Sequence, residues 1–212
     1  MIKIIAIERE YGSGAGGIAE TVAGRLGWKL WDREITSEIA RRLKCDIRQV
    51  EQREEKLDTT FYRLVKTFMR GSFEDSFSGG AKLEMLDAEH LAALFEHVVN
   101  DAANKGNCII VGRAAPWFLR DRADTMSVFI YAPPEEKLRR LLAQGRSQAE
   151  AEDSLSRVDS ERAAFVKKYY GKTWPLRELY DLMINSKIGD DGVIDLMMYQ
   201  MEKLNRLVAV RA

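Results

Sequence analysis

The residues with the clearest chemical potential stand near the N-terminus: Gly12, Ser13, Gly14, Ala15, Gly16 and Gly17, in the run EREYGSGAGG. A β-branched run, IKIIAI at 2–7, precedes them, and Ile18, Val22 and Leu26 follow at helical spacing. Glycine lets a backbone turn sharply and bring its N–H groups close to a ligand. A helix that starts there adds four free N–H groups and the positive end of its dipole. Strand, glycine loop and helix together predict a phosphate cradle. The simpler reading of the same glycines is a turn needed only for packing, and their place between strand and helix favours the cradle.

A polyphosphate also needs cations, and arginine forks grip phosphate oxygens two at a time. Arg9 stands at the exit of the first strand, beside the cradle. Arg113 follows Gly112 at the exit of a second apolar run, CIIV at 108–111. Arg139, Arg140, Arg146, Arg157 and Arg162 come later, interleaved with acids. A solvated helical face is the alternative for this second group. Arg139 and Arg140 also stand at pairing distance from Glu135 and Glu136 along a helix. Other clusters carry less. His90 and His97 are too far apart for one metal ion. Tyr169, Tyr170 and Trp174 suit packing of the last helices better than stacking on a base. Lys167, Lys168 and Lys172 are too few for a nucleic-acid surface.

The elements that must hold these residues alternate. Strands are expected at 2–7, 29–31, 108–111, 126–132 and 181–184. Helices are expected over 18–26, 34–43, 87–105, from Pro134 onward, over 147–169 and along the C-terminal stripe of Ile194, Met197, Met201, Leu204 and Val208. Asp87 is read as an N-cap and Gly106 as a stop. Such alternation predicts an α/β fold, a parallel sheet of about five strands covered on both faces in three layers. The stretch 45–85 reads as a helical insertion beside the core, with a glycine- and serine-rich loop at 71–80.

Composition narrows the class. The chain has 212 residues, enough for a core without disulfide or metal staples. Lys plus Arg equals Asp plus Glu at 33 each, so no basic field favours nucleic acid or an anionic membrane. No apolar run reaches the roughly 18 residues of a membrane span. Two cysteines build no disulfide framework, and Cys108, opening an apolar run, is expected to be an inert core thiol. A cytoplasmic protein is the expectation. The apolar C-terminal stripe would serve a homodimer as well as a core.

The chain resembles the cytidylate kinase-like family of P-loop proteins. The resemblance runs nearly end to end. It rests on IAIEREYGSG at 5–14, LWDREI at 30–35, IIVGRAA at 109–115, VFIYAPPEEKLRRL at 128–141, and the stretch from DSERAAFVKKYYGKTW to YDLMINS at 159–186. It implies one P-loop kinase-like domain over 1–212, with 45–85 as acceptor-side insertion and 140–172 as lid. It implies transfer of the ATP γ-phosphoryl group to a small phosphorylated acceptor such as CMP. The residues at 12–17 would cradle ATP. Arg113 and Arg33 would hold the acceptor phosphate. Asp32 would orient the acceptor or bind Mg²⁺ through water, unless it only caps the helix after it. Arg9, Arg157 and Arg162 would supply charge for catalysis, with Asp159 between the lid arginines at the substrate.

The loop departs from the usual Gly-Lys-Ser/Thr ending. Ala15 stands in the place of the lysine, and Gly17 in that of the Mg²⁺-binding hydroxyl. Ala114 follows Arg113 where cytidylate kinases carry an acid, and no acid ends CIIV at Val111. Mg²⁺ would therefore arrive mainly on ATP phosphates and waters. A nucleotide-binding regulatory or interaction protein without turnover, and a kinase of a non-nucleotide metabolite, are the competing readings.

Overall fold

A computed structural model describes residues 1–32 and 88–211, together with Glu34, Ile35, Glu38 and Arg42. The expected 45–85 insertion, its 71–80 loop, Arg33 and the Asp87 cap lie outside the described residues. Five strands alternate with six helices among the described residues: β1 (Ile4–Arg9), α1 (Ala15–Leu26), β2 (Lys29–Trp31), α2 (Ala88–Asn104), β3 (Cys108–Val111), α3 (Ala115–Phe118), β4 (Thr125–Tyr131), α4 (Pro134–Ala143), α5 (Gln148–Tyr170), β5 (Leu182–Asn185) and α6 (Asp190–Arg211). The strand order is β2-β3-β1-β4-β5. Every pairing is parallel.

Alternation along the strands builds two apolar layers. Ile5, Ile7, Ile109, Val111, Val128 and Ile130 face α1 and α6, meeting Ile18, Val22, Val193 and Met197. Ile4, Ala6, Cys108 and Ile110 face the other way, toward Phe95, Val98 and Val99 of α2 and Phe165 of α5. A third, small cluster joins Tyr11 and Leu141 to Ala151 and Val158, and so ties the loop after β1 to α4 and α5.

Several boundaries differ from expectation. β1 runs to Arg9 rather than Ile7, because Glu8 and Arg9 keep pairing with Phe129 and Ile130 of β4. Charge does not end this strand, since β4 continues to offer ladder partners after the β3 ladder stops at Ile7. α1 begins at Ala15, directly after the left-handed Gly14, not at Ile18. The four-residue α3 and the 3₁₀ turns at Arg177–Leu179 and Ser186–Ile188 were not expected. Their periods are too short to leave an apolar stripe. No described helix is long and apolar enough to cross a membrane.

Candidate phosphate-binding site

The loop between β1 and α1 is fastened at several points. Gly14 holds φ 82° and ψ 2°, and it forms the N-cap of α1 without any side-chain cap. No acidic residue stands in the first turn of α1 itself, and the one carboxylate set beside Gly14, Asp190, is paired with Arg140. Ser186, fully buried, donates its hydroxyl to the Ser13 carbonyl at 2.7 Å. The Ser13 Oγ is itself buried and finds no hydrogen-bond partner among the described residues. An orphaned hydroxyl in an anion-shaped loop fits a phosphate oxygen as its missing partner.

α4 delivers the cation nearest this loop. Two prolines, Pro133 at the cap and Pro134 at the first turn, start the helix just past the end of β4. Arg140 then reaches back over the loop: a Cβ on Gly14 would lie 2.3 Å from its Nη1. Glycine at 14 suits its left-handed backbone and leaves room for the guanidinium beside it. Arg140 is aimed by Glu136 (2.8 Å), by Asp190 (2.7 Å) and by the Ser186 carbonyl (3.3 Å). The cleft above the loop has a volume of about 860 Å³. Residues 9–17, Arg139, Arg140, Arg146, Arg162 and Asp190 contribute to its walls. That is room for a nucleoside polyphosphate.

A second layer of charge lies behind the loop, at the carboxyl ends of β1 and β3. Arg9, Arg113 and Arg162 are all buried. Each has a carboxylate: Glu8 at 3.2 Å from Arg9, Asp32 at 3.4 Å from Arg113, and Asp159 at 3.0 Å from Arg162. Arg162 also donates to the Arg9 carbonyl at 3.1 Å. Burial pulls the guanidinium of Arg113 down to about 10, and Arg9 and Arg162 add to the fall while Asp32 opposes it. Arg162 falls to about 10 for the same first reason, with Arg9 next. Three arginines are thus packed together with their three carboxylates at the carboxyl ends of the interior strands β1 and β3.

The backbone under this cluster is strained. Gly112, Arg113 and Ala114 hold φ of 73°, 56° and 54°, three left-handed residues in a row. Such strain in non-glycine residues persists only where the surroundings enforce it. A Cβ on Gly112 would lie 2.0 Å from Arg9 Nη1, so this glycine gives Arg9 its passage.

Of the residues singled out in the sequence, the structure brings Arg9, Asp32, Arg113, Asp159, Arg162 and residues 12–17 to one edge of the sheet. Arg33 lies outside the described residues. Arg157 is not brought to the cleft. It bridges Asp153 and Glu161 at 3.4 and 3.3 Å along its own helix. Five residues along a helix turn a side chain roughly 140° away, so Arg157 and Arg162 cannot share a face. Asp159 does not stand open to a substrate either. Its oxygens accept from the Tyr11 N–H at 2.9 and 3.2 Å and pair with Arg162. Asp32 is buried against Arg113, which removes it as a free cation ligand. No group of three His, Cys, Asp or Glu that would hold a metal ion occurs among the described residues.

Tyr170 and Trp174 pack against other rings. Tyr170 meets Phe118 and Phe165, and Trp174 meets Phe129 edge-on. His97 lies exposed, its Nδ1 at 2.8 Å from the Ala93 carbonyl of its own helix. Arg140 and its partners are what single-residue reading underrated. The signal was Glu136–Arg140 spacing in a helix opened by two prolines, which aims one arginine back along the helix.

The model of the cytidylate kinase-like family matches residues 4–188. None of the curated proteins searched matches the chain. Among solved structures, an uncharacterized protein from Eubacterium ventriosum ATCC 27560 is 22% identical with a TM-score of 0.66, over 96% of this chain and 99% of that one. A shikimate kinase from Acinetobacter baumannii in complex with shikimate is 17% identical with a TM-score of 0.47, over 100% and 95%. A deoxyadenosine kinase from M. mycoides, with dCMP and dCDP bound, is 12% identical with a TM-score of 0.48, over 94% and 99%.

Proposed function

This chain belongs to the cytidylate kinase-like family, and from that premise we propose that it transfers the γ-phosphoryl group of ATP to a small phosphorylated acceptor, a nucleoside monophosphate such as CMP. The observation that carries the reading is the cleft over residues 12–17, walled by Arg139, Arg140, Arg146 and Arg162 and floored by an orphaned Ser13 hydroxyl.

In this reading the amides at the start of α1 and the Ser13 hydroxyl hold the polyphosphate of ATP. Arg140 stands where it neutralises charge that an interior lysine would otherwise meet. Arg113 and Arg9, at the ends of β3 and β1, hold the acceptor phosphate. An acceptor phosphate oxygen attacks the γ-phosphorus. The bond from that phosphorus to the β–γ bridging oxygen breaks, and ADP leaves with the electron pair. Little covalent work falls to the protein; positioning and charge neutralisation do most of it. The α4–α5 hairpin is the proposed lid that excludes water. Mg²⁺ finds no dedicated set of ligands among the described residues.

One observation favours a second reading. Each buried arginine already carries a carboxylate partner, and Ala15 leaves the loop without an internal ammonium. A nucleotide-binding protein without turnover would look like this. ADP formation separates the two. Kinase activity predicts ADP from ATP and Mg²⁺ only when a suitable monophosphate is present. Nucleotide binding by calorimetry with no ADP across a full panel of nucleoside monophosphates would favour the binder.

A further inference from the structure

We propose that Lys137 of α4 is a positioning residue for the phosphate loop, acting through Glu10 and Asp159; the proposal rests on the reading of residues 12–17 as a phosphate cradle. The Lys137 Nζ lies 2.5 Å from Glu10 Oε2 and 3.5 Å from Asp159 Oδ2. Both carboxylates grip backbone. Glu10 Oε2 accepts from the Ala132 N–H at 3.3 Å, which fixes the start of the loop against the end of β4. Asp159 accepts from the Tyr11 N–H at 2.9 Å, which fixes the next residue to α5. The lysine stem supports the residue after that: a Cβ on Gly12 would lie 3.1 Å from Lys137 Cβ.

With that ammonium removed, Glu10 and Asp159 lose their shared counter-charge, and Asp159 is left to Arg162 alone, turned toward α5 and away from Glu10. Lys137 therefore holds together the two side chains that hold the loop. Its side chain is only 12% exposed, so water screens these charges poorly. The ammonium is engaged by these carboxylates and does not contribute to the cleft wall. It shapes the cradle from outside and touches no phosphate. The loop that lacks a lysine at Ala15 is braced instead by one from a helix more than a hundred residues away in sequence.

The test is calorimetric titration of sodium tripolyphosphate into the wild-type chain, Lys137→Met, Lys137→Arg, Asp159→Asn and the Met/Asn pair. Lys137→Met keeps the stem and loses the charge, and it is expected to weaken binding about tenfold through loop misplacement. Lys137→Arg restores most of that loss. The double variant costs less than the two singles together, because both act on one clamp. If Lys137→Met does not fold, Asp159→Asn, which keeps the shape, carries the test with the same expected weakening. Wild-type binding matched by Lys137→Met, or by Asp159→Asn where the former is lost, overturns this proposal and leaves the cradle intact. No binding by the wild-type chain overturns both.

Discussion

At Gly14 a left-handed backbone strains any side chain, and the Arg140 guanidinium would have to shift to admit one. Gly14→Ala is expected to cost about 1–2 kcal/mol of stability from the backbone alone, read by urea unfolding. It should also displace Arg140 and weaken ATP binding beyond what the stability loss explains. The arginine itself is testable by exchange. Arg140→Ala is expected to lower ATP affinity about tenfold by calorimetry, the scale of a charge-assisted contact. Ala15→Lys in that background should recover much of the loss, because it returns a cation to the same loop. No recovery would place Arg140 elsewhere in the mechanism. The places of the glycines between β1 and α1 and of Arg113 past the end of β3 were legible in the sequence, since type and position were enough. The partners were not. Asp159 grips a Tyr11 amide 148 residues away, and no local spacing encodes that contact.

Among the elements, α4 and α5 decide how the loop is served. The hydrogen bond from Arg139, and then the charge of Arg140, hold the Glu136 carboxyl at about 2, below its ordinary 4.5. Its folded-state value lies below the unfolded one, so its stabilising contribution is complete above 4.5 and is lost as pH falls through about 2. Glu136→Gln should therefore flatten that acid limb in thermal unfolding measured across the range. The same variant should weaken ATP binding at neutral pH, because Arg140 loses one of its guides. α5 opens with a capping box, Ser147 with Glu150, that fixes where the helix begins. Ser147→Ala is expected to cost about 1 kcal/mol by urea unfolding. Helix identities were readable from apolar spacing, and α5 lies within a residue of its expected span. The reach of β1 to Arg9 was not readable, because it depends on pairing with the distant β4 and on the ion pair between Glu8 and Arg9.

Across the whole molecule, the parallel sheet puts the carboxyl ends of β1 and β3 side by side, and with them Arg9 and Arg113. Alternating strands and helices made that architecture legible, although the order β2-β3-β1-β4-β5 needed the structure. The core is dense enough to test. Phe95 is fully buried between α2 and α5, and Phe95→Ala should cost about 3–5 kcal/mol in urea unfolding. Cys108 is fully buried in the same layer, and burial pushes its thiol up to about 11. In a Cys45→Ser chain a thiol reagent should react only after unfolding. The account as a whole turns on whether the loop before α1 receives phosphate. Amide chemical shifts in a ¹⁵N-labelled chain titrated with ATP report that directly. Saturable shifts concentrated at residues 12–17 are the predicted result. Unmoved amides there, with shifts elsewhere or none, would contradict it.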